Sequence, residues 1–121
     1  MTDRPGVTIR SQQQLERAGN WLLARRSLGL TAFGMNLVEI PPGESIPEHD
    51  ESERDQEEVF VALAGSPVMV IGGEEIPLAA GSLARLDPDV TRTVVNRGDD
   101  VATVLICSAP RTSGYEPMGW A

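Results

Sequence analysis

The feature that most constrains this chain is its punctuation. Between residues 30 and 107, short runs rich in Val, Ile and Leu are cut repeatedly by Gly, Pro and Asp. The runs fall at 30–40, 58–63, 68–71, 75–78, 83–86, 91–95 and 102–107. The breaks are Pro41-Pro42-Gly43, Gly65-Ser66-Pro67, Gly72-Gly73, Ala80-Gly81, Asp87-Pro88-Asp89 and residues 97–100. Isolated helices shorter than about 12–15 residues are marginal in water, and every one of these runs is shorter. Many short strands with frequent turn signals predict an all-β sandwich or barrel. Gly72-Gly73 predicts a tight hairpin, because glycine alone takes positive φ without strain at both central positions. Nothing has the strand–helix alternation of a parallel sheet.

One helix is expected, before the strands begin. Ser11 and Gln14 have capping-box spacing, which predicts a short helix through Leu15 and Ala18 that ends near Gly19-Asn20. The organisation is then an N-terminal extension over 1–29, a barrel over 30–107 and a tail over 108–121. The tail is rich in Pro and Gly yet carries Tyr115 and Trp120, two of five aromatics. Left free, it would expose both rings. It is therefore expected to pack over the barrel or across a partner subunit.

Charge narrows the partners. The chain carries −8, with 18 acids against 10 bases, which argues against nucleic acid and anionic membrane surfaces. No apolar run approaches the ~18 residues of a membrane span, and the first residues show no apolar leader. With the single Cys107 expected as a buried, inert thiol, a reducing, cytoplasmic setting is expected. All ten bases are arginines, so no lysine is present to form a Schiff base. The acidity is also local. Glu48, Asp50, Glu51, Glu53, Asp55, Glu57 and Glu58 against Arg54 give −6 within one short stretch, leaving −2 for the rest.

That stretch contains the candidate chemistry. His49 and Glu51, two apart, point the same way in an extended chain. Glu58 opens a run whose inward set is expected to be Glu58, Phe60 and Ala62, and Arg92 opens a later one. Together these residues resemble the two motifs of the cupin superfamily. The first reads Gly, five residues, His-x-His, a short gap, Glu, six residues, Gly, and Gly43, His49, Glu58 and Gly65 fit it. The second reads Gly, a strand, a Pro-containing turn, His, three residues, Asn, and Gly81, Pro88 and Asn96 fit it. The resemblance implies a small jelly-roll barrel, a double-stranded β-helix, and commonly a homodimer. It also implies a divalent metal held by three histidines and a glutamate.

Here the chain departs from the pattern. Glu51, or Glu53 if the extra residues fall earlier, replaces the second histidine, and Arg92 replaces the third. Arginine has no lone pair to give a metal, so a four-ligand site is excluded. Three readings follow. Arg92 pairs with Glu58 or Glu51 and takes over the metal's charge. Or Arg92 binds an anionic group of a small ligand, with His49 beside it. Or His49, Glu51 and Glu58 hold a weakly bound divalent Mn, Fe, Ni or Zn. The expectation is a small-molecule pocket lined by His49, Glu51, Glu58 and Arg92, with an anion among the ligands it would admit and no catalytic residue assigned. The alternative is a metal-dependent cupin enzyme of dioxygenase or isomerase type using His49, Glu51 and Glu58. The plainer reading of Glu53, Asp55 and Glu57 is a solvated loop face. That of Asp87-Pro88-Asp89 and Asn96 is turn chemistry.

Overall fold

The computed structural model describes residues 3–121. The chain runs through β1 (Arg17–Ala18), β2 (Trp21–Leu22), α1 (Ala24–Leu28), β3 (Gly34–Ile40) and β4 (Gln56–Ala64). It continues through β5 (Pro67–Ile71), β6 (Glu74–Pro77), β7 (Leu83–Leu86), β8 (Thr93–Asn96) and β9 (Ala102–Pro110). Two antiparallel sheets result, one ordered β1-β2-β3-β9-β4-β7 and the other β6-β5-β8. Backbone hydrogen bonds between residues 43–49 and β8, with bridges at Ser45↔Val95 and His49↔Arg92, extend the smaller sheet by one extended segment. This is the expected jelly-roll architecture.

The core lies between the sheets. Val38 and Ile40 of β3, Phe60 and Ala62 of β4, and Val104 and Ile106 of β9 face Met69, Val94 and Ile46. Strand parity explains the choice. Along β4, Gln56, Glu58, Phe60 and Ala62 are buried while Glu57, Val59 and Val61 are only partly covered, so the expected inward set holds and gains Gln56. Gly72 and Gly73 form the β5–β6 turn with φ of 58° and 79°. At Gly65 (φ 82°) a Cβ would lie 2.8 Å from Ala102 Cα, so β4 can end against β9 only with glycine there.

The helix is not where its signals place it. Gln12–Gln14 is a single 3-10 turn, and Leu15 is already extended at φ −71°, ψ 140°. Half of the capping box forms, with Ser11 N–H donating to Gln14 Oε1 at 2.7 Å. The chain then turns at Gly19-Asn20 so that β1 pairs with β2, and β2 adds to the sheet through Trp21↔Val38 and Leu22↔Leu37. A helix this short has little stability of its own. Extending the sheet, and burying Leu22 completely, outweighs it. The α-helix forms one segment later, where Ala24 packs on Leu22 and Leu37. Gly29 closes it in the left-handed region.

Candidate functional site

The site assembles where β4 begins, beside the segment that precedes it. Inward parity places Glu58 at the sheet interior, 6% exposed. The His49↔Arg92 bridge, with its reciprocal backbone hydrogen bonds of 3.0 and 2.8 Å, brings those two side chains to the same place. Arg92 is fully buried. Its Nη2 donates to Glu58 Oε1 at 2.8 Å and its Nη1 to the Val90 carbonyl at 2.6 Å. Its Nε has no hydrogen-bond partner. The expected ion pair therefore forms, with Glu58 rather than Glu51.

His49 is held by the chain before it. Its Nδ1 lies 2.8 Å from the Pro47 carbonyl. A carbonyl can only accept, so Nδ1 carries a proton and the neutral ring presents its Nε2 lone pair. That nitrogen lies 3.8 Å from Glu58 Oε1. The Glu58 carboxylate raises the imidazole pKa above its ordinary value, against the opposing effect of burial and with help from the Pro47 carbonyl.

Glu51 is fixed by its backbone, N–H to Pro88 O at 2.8 Å and O from Gln56 N–H at 3.2 Å. Its half-buried carboxylate forms no ion pair among the described residues. Desolvation, then repulsion from Glu58, raises its pKa. Glu53 is not part of this group. It lies in the exposed 3-10 turn Ser52–Arg54, so Glu51 occupies the position that sequence spacing left open.

These groups form the polar end of a cavity of about 230 Å³. Its other walls are Trp21, Ile46, Ile106, Met118 and Trp120. Trp120 meets Trp21 edge-to-face at 6.1 Å, and Arg25 Nε donates to the Ala121 carbonyl at 2.6 Å, which fixes the end of the tail over this region. Asn36 also lines the cavity, and its Oδ1 is buried without a partner. Arg92 does not reach the wall. Sequence reasoning missed Trp21 and Asn36. Trp21 reaches the site through β2, in a segment that the sequence reading assigns to the N-terminal extension and gives no strand. Asn36 was detectable, as a polar residue in phase with inward Val38 and Ile40.

Arginine at the fourth position cannot ligate, so the donors do not fit a four-ligand metal centre. His49, Glu51 and Glu58 each offer one ligand atom, all within 4.8 Å of one another. Cys107 is half-buried, and burial raises its thiol pKa, as for an unreactive cysteine.

Residues 36–108 match the cupin domain family. The chain is similar to a cupin protein from Bacteroides fragilis (25% identity, TM-score 0.70), covering 93% of this chain and 94% of that one. It is also similar to a protein described as a sugar phosphate isomerase of the cupin superfamily from Silicibacter pomeroyi (28% identity, TM-score 0.66). That match covers 81% of this chain and only 65% of the other. A protein from Thermotoga maritima described as a predicted oxalate decarboxylase shares the fold (20% identity, TM-score 0.70), with 85% and 99% covered. No curated protein matches the chain.

Proposed function

The chain belongs to the cupin family, and from that premise we propose that it binds a small molecule in the barrel without a four-ligand metal centre. The observation that carries this reading is the 2.8 Å Arg92–Glu58 pair at the polar end of an otherwise apolar cavity of about 230 Å³. The guanidinium supplies, inside the protein, the positive charge that a metal would supply, and the space beside it is left for a ligand. The cavity is smaller than the ~300–1,000 Å³ of drug-sized sites, so the ligand is small. The reading does not extend to an anion held by Arg92, because that side chain is fully buried and lies behind the cavity wall. A fragment screen by thermal shift and calorimetry tests it. Binders are expected, and Ile106→Trp, which fills the cavity, should abolish their binding. Binding unaffected by that change places the site elsewhere and overturns the reading.

A second reading has one observation behind it, the convergence of His49, Glu51 and Glu58 within 4.8 Å. These three would hold a divalent ion such as Mn, Fe, Ni or Zn, which supplies Lewis-acid or redox chemistry when bound. Elemental analysis of protein purified without a metal-affinity step decides between them. About one equivalent of metal, lost in His49→Ala, overturns the first reading in favour of a metal-dependent enzyme.

A further inference from the structure

We propose that the ligand is a small monocationic amine, with its ammonium at Glu51 and an apolar body against the wall formed by Trp21 and Trp120. This rests on the reading of the cavity as a small-molecule site. The donor and acceptor inventory of the polar end points to it. On the cavity wall the Glu51 carboxylate has no ion pair, and the Oδ1 of Asn36 is buried without a donor. An ammonium brings three donors and no acceptor. An alcohol brings one donor, and a carboxylate brings none.

Charge points the same way. Glu58 is matched by Arg92 at 2.8 Å, whereas Glu51 is matched by nothing among the described residues. Glu51 thus stands half-buried on the cavity wall with no counter-ion of its own, a partly dehydrated place for a carboxylate. A cation removes that cost and an anion doubles it. The walls add selectivity for such a ligand. Trp21 and Trp120 meet edge-to-face at 6.1 Å on the cavity, so their indoles offer apolar area to the body of an amine and π-density to its charged end. Ile46 and Ile106 complete a surface that favours a hydrocarbon body over a polyhydroxylated one.

The test is a calorimetric series at pH 8 with matched probes: n-butylamine and 2-phenylethylamine, 2-phenylethanol, and 3-phenylpropionate. One amine of the pair is expected to bind at least about tenfold tighter than the alcohol, and the carboxylate not at all. Glu51→Gln, nearly isosteric, should bring amine and alcohol within about threefold, and Trp120→Ala should weaken both. Equal binding of amine and alcohol overturns the amine assignment, and if Ile106→Trp abolishes both, the cavity reading survives it. A preference for amine that persists in Glu51→Gln also overturns the assignment. No binding by either amine overturns it as well, and if the fragment screen is also empty, the cavity reading falls with it.

Discussion

The acidic stretch from Glu48 to Glu58 has two faces that differ in kind. Inward, Glu51 and Glu58 stand on the wall of a cavity with His49, and the one buried arginine pairs with Glu58 and leaves Glu51 unmatched. Outward, Asp55 accepts from Arg111 and Thr112, Glu57 lies 3.3 Å from Arg85, and Asp50 accepts from the Ser52 hydroxyl. The inward charges are few, partly dehydrated and incompletely matched. Of the outward ones, Asp55 and Glu57 are matched by arginines in water, where a match contributes little. The same residue type therefore does opposite things to stability a few positions apart.

The largest effect expected from that contrast is at Arg92. Arg92→Met leaves Glu58 buried without its counter-charge, and loss of one partner of a buried pair costs about 3–5 kcal/mol. Urea unfolding should show it as a drop in midpoint at unchanged slope. Replacing both partners, Glu58→Leu with Arg92→Met, should recover most of the loss, because a buried pair and an apolar pair of similar volume are close in stability. A single variant as stable as the parent would mean that the inward face is no different from the outward one.

A smaller effect separates the faces by the sign of their pH dependence. Glu51 has a raised pKa in the folded chain, caused by burial and by Glu58. Its ionisation therefore opposes folding. The cost is absent below the ordinary carboxylate value and is complete above the raised one. His49 is also raised, by Glu58 first. Its stabilisation is present below the ordinary histidine value and is lost as pH rises through the folded one. Both inward groups thus make stability fall with rising pH. Asp50 and Asp55 are lowered, by Ser52 and Arg111 respectively, and make stability fall with falling pH. Glu51→Gln should raise Tm by about 1–3 °C at pH 7 and by nothing at pH 4. His49→Gln should flatten the decline between pH 6.5 and 8. Thermal melts across pH 3.5–8.5 read both, and a Tm gain for Glu51→Gln that persists at pH 4 would detach it from ionisation.

How far these faces could be told apart beforehand depends on local geometry. Period-two alternation made Glu58, Phe60 and Ala62 legible as one inward set, and the Gly, Pro and Asp breaks made the strands legible. Alternation stops at the 3-10 turn Ser52–Arg54 and at Asp55, whose φ is 50°. Across such a turn the side-chain count resets, so neither spacing nor parity could choose Glu51 over Glu53. The N-terminal helix failed for another reason. Its capping signal is real, as the Ser11–Gln14 hydrogen bond shows. A local signal for so few residues loses to sheet pairing at Trp21 and Leu22, which only the tertiary fold supplies. Trp21 on the cavity wall was hidden by the same pairing.

The smallest expected effect tests the outward face at its most constrained residue. Asp55 is the non-glycine residue with left-handed backbone among the described residues, and it joins the acidic stretch to the tail through Arg111 and Thr112. Asparagine tolerates that backbone conformation as readily as aspartate. Asp55→Asn therefore changes the charge and leaves the turn in place, with a side-chain oxygen still able to accept from Thr112. Because the pair is at the surface, its loss should leave the urea midpoint unchanged within error, far from the response at Arg92. What should change is local. Amide exchange over residues 111–116 should quicken at low salt, and added salt should produce the same quickening in the parent chain by screening the pair. The backbone hydrogen bond from Arg111 N–H to the Asp55 carbonyl does not depend on charge, so the tail stays attached and Trp120 stays on Trp21. A drop in midpoint comparable to that of Arg92→Met would make the outward pair as important to the fold as the inward one, and the division of the stretch into two faces would fail.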